Sequence, residues 1–298
     1  MTILTLGAGE LTAEINAANG GVIQSIRCGG KEMLAQMPWK QESPIATDVE
    51  AEWLKSWAGG WQLLVPNAGS ASLIAKPHQG FHGNASVQGW KLVSHTDTAC
   101  IIEWQEADLK VTREIHVESQ KVSARTTLTN LGQIKLPYIA TEHCILGETS
   151  LAFPATLSSA NGVMVEELGY DGGKMGSAKQ SLNESGLASI DGTATAKLYS
   201  CSNVDENGFQ FETTSHKINL TWDVESLPYM WLWLELNSTL DAPWNGRVQA
   251  IGLEPSNADH GLGLDECLNK QTAQYIPAGQ TVEWWITLNI YEKGASNV

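Results

Sequence analysis

Apolar and polar residues alternate along most of the chain, and the stretch Tyr229–Leu236 (YMWLWLEL) shows the pattern most clearly. Successive side chains of a strand point to opposite faces, so Tyr229, Trp231, Trp233 and Glu235 share one side while Met230, Leu232, Leu234 and Leu236 share the other. The aliphatic side suits a sandwich core. Indole rings beside a carboxylate suit a cleft that stacks on apolar C–H faces and also holds hydroxyls, although core packing is the more ordinary role of a Trp-rich strand. In the following strand, VQAIGLEP, the residues Val248, Ala250 and Gly252 share a face with Glu254, and their small side chains leave space above the sheet.

The same alternation predicts strands at both ends and through the middle. LTAEINAANGG and VIQSIRCGG open the chain as a hairpin punctuated by Gly20-Gly21 and Gly29-Gly30. KLVSH, ACIIEWQE, LKVTREIHVES and KVSARTTLTN follow between Trp90 and Asn130 with no amphipathic helix among them, and ATAKLYSCS, GFQFETTS, HKINLTWDV and TVEWWITLNIY continue the texture. One short surface helix is expected: Thr47 and Glu50 have capping-box spacing, Trp53 and Trp57 lie one turn apart, and Gly59-Gly60 is a stop. The glycine-bearing stretches 169–176 and 183–192 read as surface loops rather than linkers. No 20- to 50-residue period suggests a propeller or solenoid. The expectation is an all-β fold, a large antiparallel β-sandwich with one or two short helices, forming a single domain over residues 1–298.

Composition narrows the partners. The 298 residues show no compositional break between halves, their 42% apolar content supports a large core, and no apolar run approaches the roughly 20 residues that cross a bilayer. With 18 Lys and Arg against 33 Asp and Glu, the formal net charge of −15 repels nucleic acid and anionic membrane surfaces. A neutral or weakly charged small molecule fits better. The start, MTILTLGAGELTAEI, lacks the basic-then-apolar pattern of a secretory signal, so a cytoplasmic location is expected. Five dispersed cysteines form neither a CxxC pair nor a metal-ligand spacing, which points to reduced thiols. Cys144 adjoins His143, but neighbours on a strand face opposite ways, so a packed thiol is expected there. His78 and His82 lie in a glycine-rich loop after Pro77, where the helix needed to turn His-x-x-x-His into a metal face cannot form, so no metal site is expected.

Several motifs recur in a telling order: LLVPNAG (63–69), His82-Gly83 eight residues before Trp90, TEHCIL (141–146), PYMWLWLE (228–235), LEP (253–255) and the closing PAGQTVEWWITLNIY. Together they resemble the aldose 1-epimerase family, the galactose mutarotases. The resemblance implies a galactose mutarotase-like supersandwich with a sugar cleft, cofactor-free interconversion of the α and β anomers of a free, neutral hexose, and a small-molecule sugar as partner to a monomer or homodimer. It also implies a His acid and a Glu base. Mutarotation requires removal of the C1 hydroxyl proton and protonation of the ring oxygen by groups with pKa values drawn toward neutrality. On this reading Glu254 is the base, His143 the acid on another side of the anomeric centre, and His82 a hydrogen-bond donor. Trp231 and Trp233 supply the stacking surface, and Glu235 is the rival base.

The chain departs from the family pattern at Pro66-Asn67, where an Arg commonly follows the proline. Asn67, able to donate and accept, is the expected replacement, and Arg247 a further positive group for the same cleft. Related hexose-6-phosphate epimerases usually carry an Arg near the His-Gly pair, and QGFHGNASVQGW has none. Alternatives are a sugar-binding or sugar-sensing protein without turnover, or an epimerase of phosphorylated or acidic sugars.

Overall fold

A computed structural model of the chain describes residues 3–159 and 162–293. The alternating segments assemble into two large sheets in which every paired strand is antiparallel to its neighbour. The eleven-stranded sheet runs from Ile3–Ala8 at one edge through Trp61–Leu64, Thr141–Gly147, Gln249–Ser256, Tyr229–Leu236 and Thr195–Ser202 to Met164–Leu168 and Gln180–Ser181 at the other. The second sheet has nine strands, with Thr281–Glu292 and Lys121–Asn130 at its centre. Between the sheets lies one continuous apolar cluster that draws on residues from Leu4 to Ile290. This is the expected antiparallel sandwich.

Strands of the second sheet keep the half-buried alternation of a sheet with one wet face, as in Leu109–Glu118 and His216–Trp222. Three central strands of the first sheet do not. Trp61–Leu64 and Thr141–Gly147 are buried at every residue, and Gln249–Ser256 at all but its first. Their outer face is covered by a second apolar group containing Trp53, Trp57, Ile145, Trp244 and Val248, and by a third containing Leu64, Ile139, Trp231 and Leu264. In Tyr229–Leu236 the alternation is as expected: Met230, Leu232, Leu234 and Leu236 enter the core between the sheets, and Trp231 and Trp233 join the outer clusters.

The short helix forms over Glu50–Ser56, but two expectations for it are corrected. Val49 occupies the cap position with no side-chain cap bond, and the Thr47 hydroxyl instead accepts the Val49 N–H at 3.2 Å, closing a turn before the helix. The helix is also no surface decoration, since Trp53 and Trp57 are both buried against the first sheet. Stretch 183–192 is likewise more than a loop, because Ser189–Ile190 pairs with Ala155–Ser159. A second helix, Leu264–Asn269, follows the last strand of the sheet centre. Among the described residues no helix is long and apolar enough to cross a membrane. All five cysteines are free and buried, and Cys144 points into the core with its thiol pKa pushed up by burial.

Glu142 joins the two sheets. Its carboxylate accepts from Arg113 Nη2 at 2.7 Å, Trp61 Nε1 at 2.8 Å, Trp284 Nε1 at 2.9 Å and the Thr126 hydroxyl at 3.3 Å, with Arg113 and Glu142 both fully buried. Removing one member of a buried pair strands the other charge, so Arg113→Met should destabilise the fold by about 3–5 kcal/mol. Urea unfolding followed by tryptophan fluorescence measures this, and a loss under about 1 kcal/mol would show that the pair does not bear on stability.

Candidate functional site

Strand register places the site residues. Thr141 pairs with Ser256 and Cys144 with Leu253, so His143 and Glu254 stand level on neighbouring strands, and Trp231 pairs with Glu254 on the far side. All three side chains project from the outer face of the first sheet. His143 Nε2 lies 3.8 Å from Glu254 Oε1, beyond hydrogen-bond length but close enough for one proton to serve both groups through a bound molecule. Trp233 pairs with Gly252, where a Cβ would lie 2.2 Å from Glu254 Oε1. The carboxyl therefore rests over the bare glycine backbone, and any larger residue there would displace it.

His82 enters from a loop. It has φ of 60° and is followed by Gly83 at 74°, where a Cβ would lie 2.5 Å from the Val65 carbonyl oxygen, so the turn requires glycine. Its backbone N–H donates to the Gly69 carbonyl at 3.0 Å, and its Nδ1 accepts the Gly69 N–H at 2.9 Å. An accepting Nδ1 puts the ring proton on Nε2, which is left as a donor. The ring centroid is 5.6 Å from that of His143 and 4.8 Å from Trp53.

These groups line a cavity of about 490 Å³ with Trp53, Trp57, Phe81 and Trp244. Trp53 and Trp57 stack at 5.5 Å, and Trp57 lies 5.6 Å from the His143 ring, so the short helix forms an aromatic wall over the imidazole. Burial decides the electrostatics. It lowers the His143 pKa to about 3, lowers that of His82 well below the usual imidazole range with His143 contributing, and raises that of Glu254 well above the usual carboxylate range. Burial thus disfavours the charged form of both groups. Among the described residues the lining around the pair is acidic: Asp48, Glu50, Glu167, Asp171, Glu235 and Glu254 face a single cation, Lys197, itself paired with Glu167.

With this geometry in place, the chain can be set beside known structures. A proposed aldose 1-epimerase from Escherichia coli K12 superposes with a TM-score of 0.73 at 15% identity, covering 98% of this chain and 99% of that one. The galactose mutarotase related enzyme of Lactobacillus acidophilus gives 0.69 at 12% identity, with 97% of each chain covered. A galactose mutarotase-like protein of Lactobacillus casei ATCC 334 gives 0.67 at 13%, covering 97% of this chain and all of that one. The fold is that of the galactose mutarotase-like proteins. No protein-family model matches the sequence, and no curated protein does so.

Within this mutarotase-like fold, His82, His143, Glu254, Trp231 and Trp233 converge on one cavity. Trp231 spends its indole N–H on the Ala258 carbonyl at 2.8 Å, leaving the ring as an apolar wall. Glu235 also reaches the lining, but its carboxylate accepts from the Ser238 and Thr239 N–H groups at 2.8 and 3.1 Å and from the Thr239 hydroxyl at 2.5 Å. It anchors the turn that ends its strand and is poorly placed to act as a base. Two expectations are corrected. Asn67 is fully buried outside the lining, its amide donating to the Ser70 and Gly80 carbonyls and its Oδ1 accepting the Leu264 N–H, so nothing remains for a ligand. Arg247 is exposed beside a separate cavity of about 180 Å³ with Glu32, Gln36 and Glu148. His143 and Glu254 stand side by side on neighbouring strands. The cover residues Trp53 and Trp57 were not expected in the site, although their spacing of four on a short helix already put both indoles on one face.

His143 should therefore remain neutral through the range where imidazoles ordinarily titrate. A ¹⁵N or ¹³C NMR pH titration of the folded protein should place its inflection near 3, and an inflection near 6.5 would contradict the buried, uncharged pair.

Proposed function

We propose that the protein is an aldose 1-epimerase, interconverting the α and β anomers of a free, neutral aldose with His143 and Glu254 as its proton-transfer groups. The observation that carries this reading is their 3.8 Å juxtaposition in a buried cavity floored by Trp231 and Trp233. Similarity of fold to proteins named for aldose epimerisation supports it.

From the uncharged pair, His143 Nε2 accepts the C1 hydroxyl proton and Glu254 donates its proton to the ring oxygen, so the bond from C1 to that oxygen breaks and the open aldehyde forms. His143 and Glu254 are then an imidazolium and a carboxylate whose mutual attraction offsets part of the cost of charging them in a buried site. Rotation about the C1–C2 bond presents the other carbonyl face. On reclosure Glu254 takes the proton of the attacking hydroxyl, His143 returns its proton to the aldehyde oxygen, and the pair is restored. Each group acts once as acid and once as base. This exchanges the roles read from the sequence, which set Glu254 as base at the C1 hydroxyl and His143 as acid at the ring oxygen. Both oxygens concerned are bonded to C1 in the ring form, so two groups on one side of the sugar can serve them. His82 Nε2–H is a donor for a neighbouring hydroxyl, and the indole rings stack on C–H faces.

Polarimetry on freshly dissolved α-glucose and α-galactose tests the activity: the protein should speed equilibration, and binding without acceleration would make it a sugar sensor instead. His143→Ala and Glu254→Gln should each lower kcat/KM by roughly 10²–10⁴-fold, the span of general acid–base catalysis. Folded Glu235→Gln should keep most activity. Full activity in Glu254→Gln with none in Glu235→Gln would reverse the assignment. The acidic lining also disfavours anionic sugars, so glucose 6-phosphate should have a kcat/KM at least about tenfold below that of glucose at low salt, with the gap narrowing as salt is added. A phosphosugar preferred over glucose would overturn the neutral-substrate part of the reading.

A further inference from the structure

We propose that the cavity takes the reducing end of a disaccharide or longer oligosaccharide, with the reducing ring at His143 and Glu254 and the next ring stacked on the exposed aromatic face of Tyr170. The inference rests on the epimerase reading of the inner site and extends it to the class of substrate.

The cavity is larger than one sugar needs. A hexose of twelve non-hydrogen atoms takes roughly 250 Å³ at the packing density of protein interiors. The cavity holds about 490 Å³, room for about two such rings.

The lining changes character along the cavity. Around the acid–base pair it is buried, with Trp231 at 3%, Trp57 at 4% and His143 at 7% exposure. Tyr170 and Met175 belong to the same lining and are 79% and 64% exposed. A tyrosine ring and a methionine that line one cavity and stay open to water offer an apolar contact surface at its mouth. Tyrosine suits a sugar ring: its face stacks on C–H groups, its hydroxyl stays wet, and only two side-chain torsions are frozen on binding.

The loop bearing Tyr170 is a fixed support. The Gly169 N–H donates to the Gly173 carbonyl at 2.7 Å, and the Gly172 carbonyl accepts the Gly261 N–H at 2.9 Å, which ties the loop to the far wall. Gly172 sits at φ of 80°, and a Cβ on it would lie 2.7 Å from Gly261 Cα, so only glycine permits this docking. Lys174 adds ion pairs to Asp259 and to Glu166, the latter at 3.5 Å. A ring held this way needs little further ordering when a second sugar arrives. At the same rim, Glu50 and Asp171 offer acceptors and Lys197 a donor for the outer hydroxyls.

Anomerically pure α-lactose and β-maltose, compared with α-glucose by polarimetry, test the proposal. At least one disaccharide should show a kcat/KM about fivefold or more above glucose. Tyr170→Ala, at an exposed position where folding is not at stake, should remove that advantage by raising KM for the disaccharide about tenfold while leaving glucose within twofold; Tyr170→Phe should keep it. Acceleration of glucose with no disaccharide preference, or an equal effect of Tyr170→Ala on both sugars, overturns the outer subsite and leaves the epimerase reading standing. If neither glucose, galactose nor a disaccharide is accelerated, the epimerase reading fails and the subsite proposal falls with it.

Discussion

The carboxylate of Glu142 gathers donors from four other strands: Trp61 in its own sheet, and Arg113, Thr126 and Trp284 in the sheet opposite. A buried carboxylate is tolerable only when so fully satisfied, and the requirement fixes how the two sheets approach. It also fixes the next residue. His143 points out of the opposite face of the strand Thr141–Gly147, so a hub that locks the backbone from behind holds the imidazole level with Glu254 in front. The site has its rigidity from the core of the sandwich, and its access from the loops and the short helix that cover the outer face.

That cover shifts the proton affinities of the pair. Trp53 and Trp57 shut water from His143, and Gly252 lets Glu254 lie flat against the sheet, so both groups meet a low-polarity environment that disfavours charge. An uncharged imidazole and a protonated carboxyl form a complete acid and base pair without the desolvation cost that two resting charges would carry. Aromatic cover and proton chemistry are therefore one feature seen from two sides: opening the wall would hydrate the pair and draw both pKa values back toward their ordinary ranges.

Much of this was legible in the sequence where a local rule decided it. The period of two in Tyr229–Leu236 correctly separated core from cavity face, and the run of small residues before Glu254 announced the space into which its carboxyl folds. What escaped depends on contacts between distant segments. Asn67 looked like a free hydrogen-bonding group beside the site, yet its partners Gly80 and Leu264 lie 13 and 197 residues away and consume it. Arg247 follows closely on Trp244, yet the turn between them parts the two side chains: the indole joins the aromatic cluster over the site, while Arg247 lines another cavity. Glu142 gave no local sign of being a hub, because the strands that supply its donors are brought together only by sheet packing.

An acidic cavity also constrains what can enter. Water leaving the pair must be replaced by groups that hydrogen-bond without adding charge, and a sugar does this with hydroxyls that both donate and accept. An anion would meet six carboxyl side chains and one already paired lysine among the described lining residues. On the proposed epimerase reading, a preference for uncharged sugars follows from these carboxyl groups together with the burial that prepares the proton transfer.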